Sequence, residues 1–289
     1  MDFASFIHCI EADNLNVHGI EVYKSGKLVH NYGDTVEHRY PVYSITKSIL
    51  SIGVGIAWDE GRIDLDKCVL DYMPISAVNK MNKEQQDLYR KITLKRLMSM
   101  SVKGYPFRAE GESWLDYSLA YPLKNVEEKT FDYSNIPAYL VGVALTEALC
   151  EDLYGFLERK LFAPLGINNI PYSRCPDGYM YCASSLELSV HELSRIGLFL
   201  MVGGVYEGKR LLSKEYLETA TSVQQMTREG GYGYLFTKYR DGFSLNGKWG
   251  QKCYVLPKDE LVISFLSDMP DGSNEIKAYM EKYILMDNF

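Results

Sequence analysis

The chain has 289 residues, of which 46% are hydrophobic and 24% charged, and its formal net charge is −7 at pH 7. This balance is typical of a folded globular protein and excludes a disordered chain. The negative charge disfavours a nucleic acid or an anionic membrane as the main partner, because both require basic protein surface. No segment approaches the roughly 18 apolar residues that a membrane span requires.

The N-terminal sequence and the cysteines indicate the compartment. The opening segment MDFASFIHCIEADNLN has no basic stretch followed by an apolar run, so we expect no secretory signal and a cytoplasmic location. The six cysteines form no CxxC pair, which favours free thiols over disulfides. Neither the cysteines nor the five histidines cluster at ligand spacing, so we expect no metal and no cofactor.

The predicted elements run from strands, through helices, back to strands. Two short strands around a turn at Ser25–Gly26 are predicted over 19–33. A helix is predicted from Ser44 to Gly61, where glycine would be a C-terminal cap. Apolar residues at helical spacing predict helices over 83–100, 137–162 and 185–204. Alternating or apolar runs predict strands over 232–239, 250–257 and 260–267, followed by a helix over 274–286.

This order predicts an α+β or α/β fold. We expect a mainly antiparallel sheet built from both termini, flanked by helices, with an inserted helical subdomain. The absence of repeats and linkers predicts a single domain over 1–289. Its α/β subdomain would comprise about 1–62 and 190–289, and its helical subdomain about 63–189. A cleft between the two would be the natural binding site.

The first chemical motif is Ser44-Ile45-Thr46-Lys47. At this spacing the hydroxyl of Ser44 and the amine of Lys47 share one face of a helix. A serine hydroxyl needs a base, and a lysine of pKa about 10.4 is almost wholly protonated at pH 7. The apolar run over 49–58 indicates a buried helix start, and burial lowers the pKa of lysine. The alternative is a chance match, since SxxK arises on the order of once in such a chain.

The second motif, Tyr133-Ser134-Asn135, precedes a predicted helix. Tyr133 could relay a proton and Asn135 could donate to a carbonyl. The alternative is that Ser134 or Asn135 only caps the helix.

The third motif, Lys248-Trp249-Gly250-Gln251, opens a predicted strand. Gly250 would permit a ligand to approach the backbone closely. Lys248 could hold a substrate carboxylate and lower the pKa of a nearby tyrosine or lysine. The alternative is a solvated lysine at a sheet edge.

Taken in order, the SxxK, YxN and KxG motifs resemble those of the serine β-lactamase and penicillin-binding-protein superfamily. The tyrosine of the second motif resembles the class C branch, with its family VIII esterase and D-aminopeptidase relatives. The resemblance extends over nearly the whole chain and includes the segments 43–74, 92–100, 131–135, 161–167 and 184–204. It implies the β-lactamase/transpeptidase-like fold.

The resemblance also implies a role for each catalytic residue. Ser44 would attack an acyl carbonyl and become acylated. Lys47 and Tyr133 would share the proton transfers of acylation and deacylation. The backbone N–H groups of Ser44 and Gln251 would form the oxyanion hole, in which each donor contributes roughly 10²–10³ in rate.

The substrate-binding set implied by the resemblance is Asn135, Lys248, Trp249, Gly250 and Gln251. Asn135 would bind the amide or ester side chain of the substrate. Lys248 would tune Tyr133 and attract a carboxylate. Two residues depart from the family pattern: Trp249 stands where threonine or glycine is usual, and Gln251 where a small residue is common.

These departures, with the lack of an export signal, shape the functional prediction. We expect a serine hydrolase that acts on a small ester, amide or D-peptide. The alternatives are a true β-lactamase or penicillin-binding protein, and a non-hydrolytic acyl-binding or scaffold protein. An α/β-hydrolase is disfavoured because the sequence has no G-x-S-x-G. The oligomeric state stays open, and the cleft walls are predicted to include Tyr105, Phe107, Trp114, Tyr117 and Trp249.

Overall fold

The computed structural model describes residues 1–270 and 273–286. The helices are α1 (Phe3–Ala12), α2 (Ile45–Asp59), α3 (Ile75–Val78), α4 (Lys83–Tyr89), α5 (Leu94–Met98), α6 (Trp114–Ala120), α7 (Asn135–Leu149), α8 (Leu153–Leu157), α9 (Val190–Met201), α10 (Lys214–Thr221) and α11 (Ser273–Tyr279). The strands are β1 (Val17–Lys24), β2 (Lys27–Gly33), β3 (Tyr40–Pro41), β4 (Glu187–Leu188), β5 (Val205–Tyr206), β6 (Lys209–Arg210), β7 (Gln225–Thr227), β8 (Gly230–Tyr232), β9 (Thr237–Tyr239), β10 (Gly242–Asn246), β11 (Lys252–Leu256) and β12 (Leu261–Ser267).

Eight strands form one antiparallel sheet in the order β2-β1-β12-β11-β10-β9-β8-β7. The N-terminal strand β1 pairs with the C-terminal strand β12, with Val22 opposite Ile263. The prediction of a sheet assembled from both termini is therefore confirmed. The hairpin of β1 and β2 turns at Ser25 and Gly26, whose φ angles of 50° and 75° are those of a primed turn.

The central strands of the sheet are buried on both faces. On the inner face Leu245, Cys253 and Val262 belong to the large core that includes α2 and α9. On the outer face Ile263 and Phe265 belong to a second core, shared with α1 and α11. Strands covered on both faces read as apolar runs, which explains the continuous apolar sequence of β12.

Helix α2 is the central helix of the inner layer. All residues from Ile45 to Ala57 are buried, which agrees with its apolar sequence on every side. Gly55 allows α10 to approach, because a Cβ at this position would lie 2.4 Å from the ring of Tyr216. Gly61 follows the end of α2 with a φ of 69°, as predicted for a terminating glycine.

Several segments predicted as single elements are broken in the structure. The helix predicted over 83–100 is α4 and α5. The helix predicted over 137–162 is α7, α8 and a π-helical turn over Glu158–Phe162, and α7 and α8 are separated at Cys150, which has a φ of 50°. The segment 185–204 holds β4 before α9 begins. The strand predicted over 232–239 is β8 and β9, joined by a turn in which Leu235 donates its N–H to the Met98 carbonyl. Hydrophobic periodicity in the sequence does not reveal such tertiary contacts.

Strands β7 and β10 were not predicted from the sequence. The terminal helix predicted over 274–286 is α11 followed by a π-helical turn over Met280–Ile284. The six cysteines are free, as expected. Among the described residues, no helix has both the length and the apolar character to cross a bilayer. The subdomain boundaries near 62 and 190 stay a prediction.

Candidate active site

An open cavity of about 1620 Å³ lies where the start of α2 meets the inner sheet and the helical layer. Its lining includes a residue from each of the three motifs: Ser44 from the first, Tyr133 and Asn135 from the second, and Lys248 from the third. The fold therefore brings together motifs that are about a hundred residues apart in sequence.

Ser44 is positioned by a tight turn into α2. The preceding residue, Tyr43, has a φ of 47°, a conformation that costs a non-glycine residue about 1–3 kcal/mol. The turn is held by the Val42 N–H, which donates to the Leu186 carbonyl over 3.0 Å. Ser44 occupies the N-cap position of α2, but its hydroxyl makes no capping hydrogen bond. The hydroxyl instead lies 2.9 Å from the Nζ of Lys47.

Lys47 is a buried lysine with three oxygen neighbours. Only 1% of it is exposed. Besides the Ser44 hydroxyl, its Nζ contacts Asn135 Oδ1 at 2.7 Å and the Ala183 carbonyl at 2.7 Å. Burial lowers the pKa of Lys47 from its ordinary value of 10.5 to about 7. No charged group among the described residues offsets that burial.

This arrangement suits a base. A neutral lysine amine has two hydrogens and one lone pair. The oxygens of Asn135 and Ala183 only accept hydrogen bonds, so they take the two hydrogens. The lone pair then faces the Ser44 hydroxyl, from which it can accept a proton.

Tyr133 stands beside this pair. Its ring centroid is 5.1 Å from Lys47 Nζ. Although 37% of Tyr133 is exposed, burial raises its pKa above the ordinary value of 10, and a hydrogen bond with Ser44 partly offsets that rise. The side chain is therefore a neutral phenol at pH 7, able to donate a proton near Ser44. The predicted tuning of Tyr133 by Lys248 stays a prediction.

The second motif divides capping and chemistry between two residues. Ser134 is the N-cap of α7, with its hydroxyl accepting from the Ile136 N–H at 3.1 Å and donating to the Pro106 carbonyl at 2.6 Å. Because Ser134 caps the helix, the side chain of Asn135 is free to contact Lys47. The alternative prediction, that Ser134 or Asn135 only caps the helix, therefore applies to Ser134 alone.

The third motif forms a 3-10 turn before β11, not the first residues of a strand as predicted. Trp249 adopts a φ of 62° and packs edge-on against Tyr43 at 5.1 Å, which joins this turn to the start of α2. Gly250 has a φ of 89°, and a Cβ there would lie 2.3 Å from Ser267 Oγ. Glycine is thus required by the turn's own packing, whatever the ligand.

The side chains of Lys248 and Gln251 have different surroundings. Lys248 is exposed and lies over the indole ring of Trp249, 4.0 Å from its centroid. The Gln251 side chain is buried and binds the backbone of Ser267, donating to its carbonyl at 2.6 Å and accepting from its N–H at 3.0 Å. Only the backbone of Gln251 is therefore available for the predicted oxyanion hole.

The predicted cleft walls are partly correct. Phe107 and Trp114 line the cavity. Tyr105 does not, because it is buried and donates to the Tyr89 hydroxyl at 3.0 Å. Tyr117 packs instead against Tyr121. Trp249 is not part of the cavity lining, but it packs against Tyr43, which is.

Two groups at the site were not predicted from the sequence. The Ala183 carbonyl contacts Lys47, and a backbone oxygen carries no residue-type signature. Lys252, the first residue of β11, also lines the cavity. Lys252 lies directly after the third motif and before the apolar residues 253–256, and this position could have identified it as a candidate site residue.

Comparison with known proteins identifies the family. The Beta-lactamase family model matches residues 17–280. A 6-aminohexanoate-dimer hydrolase from Paenarthrobacter ureafaciens is 22% identical over 299 residues, covering 88% of this chain and 72% of that protein.

Solved structures share the fold. A D-stereospecific amidohydrolase from Streptomyces sp. superposes with a TM-score of 0.76 at 17% identity, covering 100% of both chains. An octameric penicillin-binding protein homologue from Pyrococcus abyssi gives a TM-score of 0.71 at 16% identity, covering 100% of this chain and 78% of that one. The predicted β-lactamase/transpeptidase-like fold is confirmed.

Proposed function

The chain belongs to the beta-lactamase family, and on that premise we propose that it is a serine hydrolase whose nucleophile is Ser44. Its substrate would be a small ester, amide or D-peptide. The observation that carries the proposal is the 2.9 Å contact between the Ser44 hydroxyl and the buried amine of Lys47.

Acylation begins with neutral Lys47 accepting the proton of the Ser44 hydroxyl as Oγ attacks the substrate carbonyl carbon. The carbonyl oxygen becomes an oxyanion, for which the backbone N–H groups of Ser44 and Gln251 are the proposed donors. As a residue at the start of α2, Ser44 has an N–H that points out of the helix, where the helix dipole favours negative charge.

Collapse of the tetrahedral intermediate breaks the bond to the leaving group. Tyr133 donates its phenolic proton to the departing oxygen or nitrogen, and the Lys47 ammonium then restores that proton. A water molecule attacks the acyl-enzyme by the same route in reverse, with Lys47 or Tyr133 accepting its proton. The products are the free acid and regenerated Ser44.

The substrate class is supported by the relatives. Proteins named as a 6-aminohexanoate-dimer hydrolase and a D-stereospecific amidohydrolase are hydrolases, and the second name specifies an amide. The open cavity of about 1620 Å³ has room for a small ester, amide or D-peptide. An amide or ester is therefore the proposed bond.

Hydrolysis of a panel of p-nitrophenyl esters, D-aminoacyl amides and penicillin tests the proposal. We expect ester or amide turnover that Ser44→Ala abolishes. The matched control is Ser184→Ala, which removes another hydroxyl from the cavity lining and should retain activity.

Three results would contradict the proposal in different ways. Turnover that survives in Ser44→Ala would exclude this nucleophile. Penicillin turnover far above that of esters and amides would indicate a β-lactamase. A stable adduct without turnover would indicate an acyl-binding protein.

A further inference from the structure

The cavity that contains Ser44 also borders the free edge of the large sheet. Strand β7 is the last strand in the sheet order, and among the described strands it pairs with β8 alone. Its three residues, Gln225, Met226 and Thr227, all line the cavity. Successive side chains of a strand point to opposite faces, so a cavity against one face alone would contact alternate residues. Contact with all three residues indicates that the cavity runs along the edge of β7.

The register of β7 and β8 determines which backbone groups point to this edge. A two-residue turn joins the strands, and Thr227 pairs with Gly230 at its base. The pair that closes such a turn exchanges both backbone hydrogen bonds, and hydrogen-bonded and non-hydrogen-bonded pairs alternate from there. Met226, opposite Gly231, is therefore in a non-hydrogen-bonded pair, and its N–H and C=O point away from β8. No described residue outside the hairpin hydrogen-bonds to either group.

The edge of β7 is open and uncharged. Its sequence, Gln-Met-Thr, includes neither a charged residue nor proline, which are the residues that commonly protect free edges. The side chain of Met226 is 70% exposed. At the opposite end of the sheet, by contrast, β2 begins with Lys27, and its His30 ring stacks on Phe3 of α1 at 4.5 Å. The edge beside the cavity is thus available to an incoming chain.

Aromatic contacts connect this hairpin to the proposed catalytic residues. Tyr232 of β8 lies opposite Gln225. Its ring packs edge-on against Tyr133 with 6.5 Å between centroids, and it also contacts Phe131 at 5.0 Å. Adjacent strands are about 4.8 Å apart, so a chain added beside β7 would lie two strand spacings from β8. An extended substrate can therefore span from Ser44 to the edge of β7 within one cavity.

Within the function proposed above, we propose that the substrate is an extended oligoamide whose chain adds to the sheet beside β7. The Met226 N–H donates to a carbonyl of the substrate, and the Met226 C=O accepts from a substrate amide N–H, as in strand addition by peptides. An oligoamide supplies both groups at a regular spacing, whereas a hydrocarbon chain supplies neither. This subsite is distinct from the third motif, because three strands separate β7 from β11.

A length series of p-nitroanilides tests the proposal. The substrates are N-acetyl-(D-Ala)n-p-nitroanilides with n from 1 to 5, and kcat/KM is measured from release of p-nitroaniline. We expect kcat/KM to rise by about 5- to 100-fold at the length where an amide reaches β7, the effect of two hydrogen bonds, and then to level off. N-methylation of that one amide, at constant length, should remove most of the gain. N-methylation elsewhere in the distal chain should not.

Two substitutions at one position separate the backbone of β7 from its side chain. Met226→Pro removes the N–H that points to the cavity, and an edge strand tolerates proline where the N–H is outside the ladder. The length-dependent gain should fall by about 3- to 10-fold, as expected for one lost hydrogen bond. Met226→Ala keeps the backbone N–H and should retain the gain. If Met226→Pro folds poorly, the N-methyl series on the wild type still decides the question.

Four results would overturn the proposal. These are a kcat/KM independent of length, a gain that no single N-methylation removes, an equal loss in Met226→Ala and Met226→Pro, and a wild-type dimer in size-exclusion chromatography that Met226→Pro dissociates. The last result would assign the edge of β7 to a second copy of the chain.

Binding to Ser44→Ala separates this proposal from the proposed function. Isothermal titration calorimetry with N-acetyl-(D-Ala)n amides should show affinity that rises with length and is weakened by Met226→Pro. If the wild type hydrolyses none of the substrates but this binding is observed, the serine hydrolase proposal fails and this one stands. Turnover of p-nitrophenyl butyrate without any dependence on peptide length would be the reverse. A series that is neither hydrolysed nor bound would overturn the oligoamide proposal.

Discussion

The lowered pKa of Lys47 makes the rate of acylation depend on pH in a calculable way. With a pKa of about 7, half of the lysine is neutral at pH 7. At its ordinary value of 10.5, about one molecule in 3,000 would be neutral. The difference corresponds to roughly 5 kcal/mol. For a neutral ester, kcat/KM should therefore rise with pH up to about 7 and then level off.

Lys47→Arg tests the same reasoning by substitution. Arginine keeps the positive charge but stays protonated throughout this pH range, so it cannot serve as a base. We expect kcat/KM for p-nitrophenyl butyrate to fall at least about 10³-fold at pH 8, and the rise near pH 7 to disappear. Stopped-flow release of p-nitrophenol across pH 5.5–9 measures both. A flat wild-type profile, or Lys47→Arg activity within tenfold of wild type, would refute the argument.

Three other substitutions extend the test. Tyr133→Phe should lower kcat by about 100-fold at pH 7 in the same assay, since it removes the proposed proton donor; an unchanged kcat would exclude that role. Asn135→Asp places a carboxylate 2.7 Å from Lys47, which should raise the lysine pKa and move the acid limb of the pH profile upward by about 1–3 units; a limb that stays near pH 7 would contradict this. Gly250→Ala should lower the free energy of unfolding in urea by about 1–3 kcal/mol more than Gly104→Ala, because both have positive φ but only Gly250 lies against Ser267. Equal losses of unfolding free energy in the two variants would mean that the positive φ alone, and not the contact with Ser267, causes the destabilisation.

The sequence predicted those parts of the site that depend on residue type and local spacing. Ser44 and Lys47 lie one helical turn apart, so their contact follows once α2 forms. The burial of Lys47 followed from the apolar residues after it. The pairing of β1 with β12 followed from strands at both ends of the chain.

What the sequence did not predict depends on contacts between distant segments. Gln251 was assigned to the oxyanion hole through its backbone N–H, and that role stays a prediction; the contact of its side chain with Ser267, sixteen residues away on the next strand, was not predicted. The position of Lys248 over the ring of Trp249 was not predicted either, because it depends on the turn that the third motif forms. The positive φ of Trp249 has no sequence indicator, since tryptophan rarely adopts it.

The alternative that Ser134 or Asn135 serves only as a cap shows how two readings of one motif can both hold. Ser134 satisfies the helix terminus, and Asn135, one residue later, contacts Lys47. Capping of α7 and contact with Lys47 do not compete here, because two different residues of the motif, Ser134 and Asn135, perform them.

The most direct test of the central claim is covalent trapping of Ser44. The protein is mixed with p-nitrophenyl butyrate or a fluorophosphonate, quenched in acid, and analysed by intact-protein mass spectrometry and peptide mapping. We expect one added acyl or phosphonyl group, located on Ser44 and absent from Ser44→Ala. An adduct on another residue, or equal labelling of Ser44→Ala, would contradict the account.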